Sequence, residues 1–65
     1  MSKTQLLESK LQEMRREGKT KLSGEELTNV MYSCGIMFRW QRKEVAKYLE
    51  AKGAIKLDKN IIVIQ

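Results

Sequence analysis

The stretch that most limits the fold of this chain runs from Met37 to Gly53, and its pattern predicts one amphipathic helix. At about 100° per residue, its apolar and its basic residues fall on opposite sides. The apolar side carries Phe38, Val45 and Leu49, flanked by Ala46 and Tyr48. The basic side carries Trp40, Lys43 and Lys47, with Arg39 beside them. Such a helix needs a small core behind its apolar side, and its basic side suits a negatively charged partner.

Two further helices are predicted upstream, and each begins with a capping box in which a serine precedes a glutamine or glutamate by three residues. Ser2 and Gln5 mark the start of helix 1, at about residues 3–17. Ser23 and Glu26 mark the start of helix 2, at about residues 24–33. Their apolar faces carry Leu7, Leu11 and Met14 in helix 1, and Leu27, Val30, Met31 and Cys34 in helix 2.

Glycines are expected to end the three helices, because a left-handed residue commonly follows a helix. Helix 3 is predicted at about residues 38–52, with Gly53 after it. Between helices 2 and 3 a tight turn follows Gly35, and we expect Met37 or Phe38 to fill the angle between the two helices.

The spacing of apolar residues is no longer helical after Gly53. Two runs of β-branched residues there predict a hairpin over residues 54–64. Asp58, Lys59 and Asn60 separate the runs and are turn-compatible residues. The second run, Ile61–Ile64, is apolar on both faces, so we expect it to be a central strand. The segment 20–22 would then pair on its far side. The predicted fold class is α+β, with three helices and a C-terminal hairpin in one domain over residues 1–65.

The net charge of +5 is unevenly distributed. Residues 1–19 carry five basic and three acidic side chains (+2), and residues 20–38 carry one basic and two acidic (−1). Residues 39–65 carry seven basic and three acidic side chains (+4). The excess on and after helix 3 is the pattern expected of a nucleic-acid-binding surface. The alternative is a lysine-rich surface that is simply solvated.

Composition argues against an enzyme, a metal site or a bound cofactor. The chain has no histidine and one cysteine, Cys34, whose helical spacing predicts a buried apolar role. Its four glycines are isolated and form no phosphate-binding loop. The longest apolar run, Ile61–Ile64, is too short to cross a bilayer, and no signal-peptide pattern precedes helix 1. We therefore expect a cytoplasmic protein without a membrane partner.

Three short motifs resemble a known superfamily. They are Leu22-Ser23-Gly24-Glu25-Glu26-Leu27, then Val45…Leu49…Lys52-Gly53-Ala54-Ile55, and Ile61-Ile62-Val63-Ile64. These resemble the L-S-x-E-E-L-A opening, the V-x-x-x-L-x-x-x-G-x-I closing and the x-I-x-I wing strand of the winged helix-turn-helix superfamily, especially its compact bacterial and archaeal regulators. The similarity extends over about residues 4–64.

The resemblance implies that helix 3 enters the major groove of DNA and that the hairpin, as the wing, contacts the backbone or the minor groove. Carried onto this chain, the DNA-binding residues would be Arg39, Trp40, Arg42, Lys43 and Lys47 in helix 3, with Lys56 and Lys59 in the wing. By angle Arg42 lies near the apolar side, so it either snorkels or starts an irregular first turn. The chain departs from the superfamily where Met37, Phe38 and Trp40 replace small polar residues.

The sequence therefore predicts a small DNA-binding transcriptional regulator that forms a homodimer through helix 1, where Leu6 is surplus to the core. Two alternatives remain open. One is a winged-helix module for protein–protein interaction, in which Trp40 is a hot spot. The other is a winged helix that binds duplex RNA by shape. Trp40 itself either contacts a partner or packs against the wing or helix 1.

Overall fold

A computed structural model describes residues 2–65 and shows an α+β fold of three helices and one three-stranded antiparallel sheet. The helices are α1 (Lys3–Arg16), α2 (Gly24–Ser33) and α3 (Arg39–Ala51). The strands are β1 (Lys21–Ser23), β2 (Ile55–Asp58) and β3 (Ile61–Ile64). The predicted domain begins at Met1, which lies outside the described residues. The bounds of α2 agree with the prediction, whereas α1 ends one residue earlier and α3 is one residue shorter at each end.

Both predicted capping boxes are present. The Ser2 hydroxyl accepts from the backbone N–H of Gln5 at 3.1 Å, and the Gln5 side chain accepts from the Ser2 N–H at 2.9 Å. Ser23 and Glu26 make the same reciprocal pair, with both hydrogen bonds at 3.1 Å. Two of the otherwise free N–H groups at each helix start are thereby satisfied.

The turn between α2 and α3 is built on Gly35, whose φ of +82° favours a residue without a Cβ. The next residue, Ile36, donates its N–H to the carbonyl of Met31 at 2.9 Å, and both side chains are only 2% exposed. Ile36 therefore fills the angle between the two helices, as expected after a glycine-terminated helix. The prediction that Met37 or Phe38 fills it is wrong, since these are 55% and 63% exposed.

The prediction that Phe38 lies on the apolar side of helix 3 is also wrong. Phe38 is the N-cap residue of α3, with an extended backbone (φ −81°, ψ 141°). A residue outside the helix does not follow the angular step of about 100° that links side chains within it. Its ring therefore does not join Val45 and Leu49, which face the core.

The strand order is β1-β3-β2, so β3 is the central strand and β1 pairs on its far side, as predicted. β1 begins at Lys21, one residue later than expected, although the carbonyl of Thr20 still accepts from the N–H of Ile64 at 2.8 Å. Asp58 pairs with Ile61, which leaves a loop of only Lys59 and Asn60.

The core lies between the helices and one face of the sheet, where β3 contributes Ile62 and Ile64. The other buried residues are Leu7, Leu11, Leu22, Leu27, Met31, Cys34, Ile36, Leu49 and Ile55. The burial of Cys34 agrees with its predicted apolar role. Within residues 2–65, no helix combines the length and the apolar character needed to cross a bilayer.

Candidate nucleic-acid interface

The exposed side of α3 carries a stripe of three cations, Arg39, Lys43 and Lys47, which we call the α3 front. They recur every four residues, so they follow one another along the same side of the helix. All three are exposed, as their predicted positions require. The ion pairs found within residues 2–65 are Lys19 with Glu26 and Lys52 with Glu8. No carboxylate of this part of the chain therefore neutralises the α3 front by direct contact.

A groove between α2 and α3 extends this surface. It is lined by Gly24, Leu27, Thr28 and Met31 of α2, by Arg39, Arg42, Lys43 and Ala46 of α3, and by Ile62 of β3. Leu27 and Met31 are buried and form its floor, whereas Arg39 and Lys43 are exposed at its mouth. The first turn of α2 thus lies beside the α3 front, which places free backbone N–H groups near two cations.

Sequence reasoning missed Gly24 and Thr28 as members of this surface. The signal was present, because both follow the N-cap Ser23 and lie in the opening turns of α2. Which side of α2 meets α3 depends on how the helices pack, and helical spacing alone does not give that. The same first turn carries Glu25, an exposed acid that adds negative charge to this end of the groove.

Arg42 lies near the start of α3, close to the turn between α2 and α3, and is only partly exposed. One of its guanidinium nitrogens donates to the carbonyl of Met37 at 2.5 Å, and the guanidinium carbon lies 5.2 Å from the centre of the Tyr32 ring. The charged head therefore reaches the turn, as expected of an arginine that snorkels from a position near the apolar side. The hydrogen bond therefore ties α3 to the turn, and the contact with Tyr32 ties α3 to α2.

Trp40 and Phe38 form an exposed aromatic pair at the start of α3, with 64% and 63% of their surfaces exposed. Their ring centres lie 6.4 Å apart and their planes differ by 12°. Trp40 also lines a shallow hollow together with Lys3 and Thr4 of α1. Because about two thirds of Trp40 is exposed, packing within the described residues accounts for only part of its surface.

The two wing residues occupy different positions on the β2–β3 hairpin. Lys56 stands opposite Val63, and Lys21 flanks the same residue from β1, so these three lie on the sheet face that points away from the helices. Lys59 is at the tip, with φ +58°. The predicted residues are therefore distributed over the α3 front, the α2–α3 turn and the hairpin rather than gathered in one place.

Two ionisable groups near this region are engaged in structural contacts. The Lys52 ammonium donates to the Glu8 carboxylate at 2.9 Å and to the Tyr48 hydroxyl at 3.3 Å, and these bonds raise the pKa of Lys52. The hydrogen bond from Lys19, followed by that from the Ser23 N–H, lowers the pKa of Glu26. Lys52 ties α3 to α1, and it differs in this from the cations of the α3 front.

Within residues 2–65, no group of three or more histidine, cysteine, aspartate or glutamate side chains is arranged to hold a metal ion. No protein-family model, curated protein or solved structure matches the chain. The case for its function rests on the residues of its own surface.

Proposed function

We propose that the chain is a cytoplasmic winged-helix DNA-binding protein that regulates transcription, with α3 in the major groove. The order of its elements, with a helix-turn-helix followed by a hairpin, supports this reading. The observation that carries it is the α3 front, in which Arg39, Lys43 and Lys47 project from one side of one helix without an internal ion pair. A helix of this kind fits the width of the major groove.

The proposed role of each residue depends on its position in the fold. Arg39 and Lys43, at the mouth of the groove between α2 and α3, can reach guanine edges or phosphates, and Lys47 continues along the same side. Lys59 at the hairpin tip and Lys56 on β2 would contact phosphates as the wing. Arg42 would hold the α2–α3 turn in place and reach DNA only with its remaining donors.

Fluorescence anisotropy with labelled duplex DNA across a salt series tests this proposal. The logarithm of affinity should fall with the logarithm of salt concentration by about 0.9 per phosphate contact. Lys43→Ala should weaken binding to all sequences and reduce that slope by about one. Arg16→Ala removes the same charge from the exposed end of α1 and should change the slope much less. Equal effects of the two variants, or no binding at low salt, would contradict the proposal.

A homodimer would double the contacts, because a single domain covers only one half-site. Leu6, 36% exposed on α1, is our candidate for the dimer contact. Sedimentation velocity of the protein with a palindromic duplex should give two chains per duplex, and Leu6→Lys should reduce this to one. A wild-type monomer on a palindromic site would exclude the dimer while leaving DNA binding intact.

A specific observation also favours a second candidate, a protein-interaction module. Met37, Phe38 and Trp40 are all more than half exposed and lie next to one another, and exposed apolar clusters often mark partner surfaces. Trp40→Ala distinguishes the two candidates. Loss of protein capture with unchanged DNA affinity would support the protein-interaction module, whereas weaker DNA binding would support the DNA-binding protein. The third alternative, duplex RNA, is tested by adding an RNA duplex to the same anisotropy series.

A further inference from the structure

We infer that Phe38 and Trp40 form a stacking site for an unpaired nucleobase, and that Arg39 and Lys43 bind the phosphates beside it. This inference deepens the proposed function and rests on it, because it names the nucleic-acid structure that the start of α3 would prefer. A fully paired duplex keeps its bases stacked on one another, so the preferred target would contain a base that is unpaired or turned out of the helix.

The geometry of the aromatic pair suits a flat ligand. The ring planes are within 12° of parallel, and the ring centres are 6.4 Å apart. Both rings belong to the beginning of α3, where Phe38 is the N-cap residue and Trp40 lies in the first turn. With almost two thirds of the surface of each residue exposed, a planar group can reach an aromatic face without displacing a core residue.

The charge around the rings selects a nucleotide among flat ligands. A shallow hollow at the start of α3 is lined by Phe38, Arg39, Trp40 and Lys43. It therefore combines two aromatic side chains with two cations. A nucleotide has the matching combination of a planar base and an anionic phosphate, and base stacking on aromatic rings tolerates every base. Protein hot spots are typically enclosed pockets that exclude water, whereas this pair is open on its outer side.

The chain itself supplies the probe, because Trp40 is its only tryptophan and its emission reports this site alone. The protein is titrated with a short DNA duplex, with the same duplex carrying one unpaired base, and with single strands of DNA and of RNA. We expect the unpaired base and the single strands to quench Trp40 much more strongly than the fully paired duplex does. A difference between the DNA and RNA strands would show which sugar the site prefers.

Phe38→Ala tests the second ring and keeps the reporter. It should weaken binding of the duplex with the unpaired base by about five- to a hundredfold, and leave the fully paired duplex unaffected. Trp40→Phe, followed by anisotropy, should retain most of the preference because the ring is conserved. Leu57→Ala is the matched control, since it trims a side chain that is similarly exposed (59%) but lies on the hairpin. Thermal unfolding of each variant verifies that the fold persists.

The outcomes separate this inference from the proposed function. If the paired duplex binds with the expected salt dependence while the unpaired base neither quenches Trp40 nor binds more tightly, the stacking site is excluded and DNA binding stands. If Phe38→Ala weakens all probes equally, the rings are an ordinary part of the duplex interface and the inference is again overturned. If no nucleic acid binds and an acidic peptide quenches Trp40, the rings belong to a protein partner and both proposals fail.

Discussion

Lys59 occupies the tip of the hairpin with a φ of +58°, a conformation that costs a side-chain-bearing residue about 1 kcal/mol or more. Lys59→Gly removes that cost but adds flexibility to the unfolded chain, so the net gain should be about 0.5 kcal/mol. Thermal unfolding followed by circular dichroism should show a rise in Tm of about 2–4 °C. Lys59→Gln removes the charge while keeping the strain, and should leave Tm unchanged. An equal rise in the Tm of both variants would show that the stabilisation comes from removing the charge instead.

Glu26 couples the stability of the molecule to pH through a single carboxylate. Its pKa is lowered by Lys19 and by the Ser23 N–H, so its contribution is complete above the ordinary pKa of a glutamate and is lost as pH falls through the folded value. Glu26→Gln keeps a capping-box acceptor but does not titrate. Urea unfolding should show the wild type as more stable near neutral pH, with the difference disappearing in acid. A difference that is independent of pH would contradict the role of ionisation.

At the scale of the elements, the sequence predicted what local signals determine. Capping serines located the helix starts, and the apolar run of β3 identified the central strand because both of its faces lacked charge. The junction of α2 and α3 was not predictable in this way. Ile36 follows a glycine outside any periodic pattern, and Phe38 precedes the helix whose angular pattern was applied to it. The contacts of Arg42 likewise depend on how two helices meet.

The α2–α3 junction should accordingly depend on Ile36 far more than on its neighbour. Ile36→Ala removes a fully packed side chain and should lower the free energy of unfolding by about 2–5 kcal/mol. At this length the total free energy of unfolding is about 3–10 kcal/mol, so the variant should lose a large fraction of its stability. Met37→Ala trims an exposed side chain and should change stability by less than about 0.5 kcal/mol. Urea unfolding of both measures the contrast, and similar losses would contradict the assignment of Ile36.

For the molecule as a whole, the sequence predicted that Arg39, Lys43 and Lys47 share an exposed side, because helical angle alone determines this within one helix. It did not predict that the first turn of α2 joins them, nor that Lys56 faces away from the helices, because both follow from packing and strand register. The sequence therefore predicted the part of the candidate interface that lies on α3 better than the parts that lie on α2 and the hairpin. The aromatic pair at its start is visible as an exposed feature only once Ile36 is seen to fill the core position.

A domain of this size buries only about 60% of its unfolded surface, so a bound ligand should raise its Tm strongly. A ligand whose free concentration is a hundred times its Kd adds about 2.7 kcal/mol to the free energy of unfolding. For so small a domain this corresponds to a rise in Tm of about 10–20 °C. Thermal unfolding with duplex DNA at low salt should show such a shift, and added salt should remove it as phosphate contacts weaken. Combining Lys43→Ala with Lys47→Ala should abolish most of the shift, whereas Arg16→Ala should preserve it. A Tm unchanged by DNA at low salt would leave the basic side of α3 as a solvated surface.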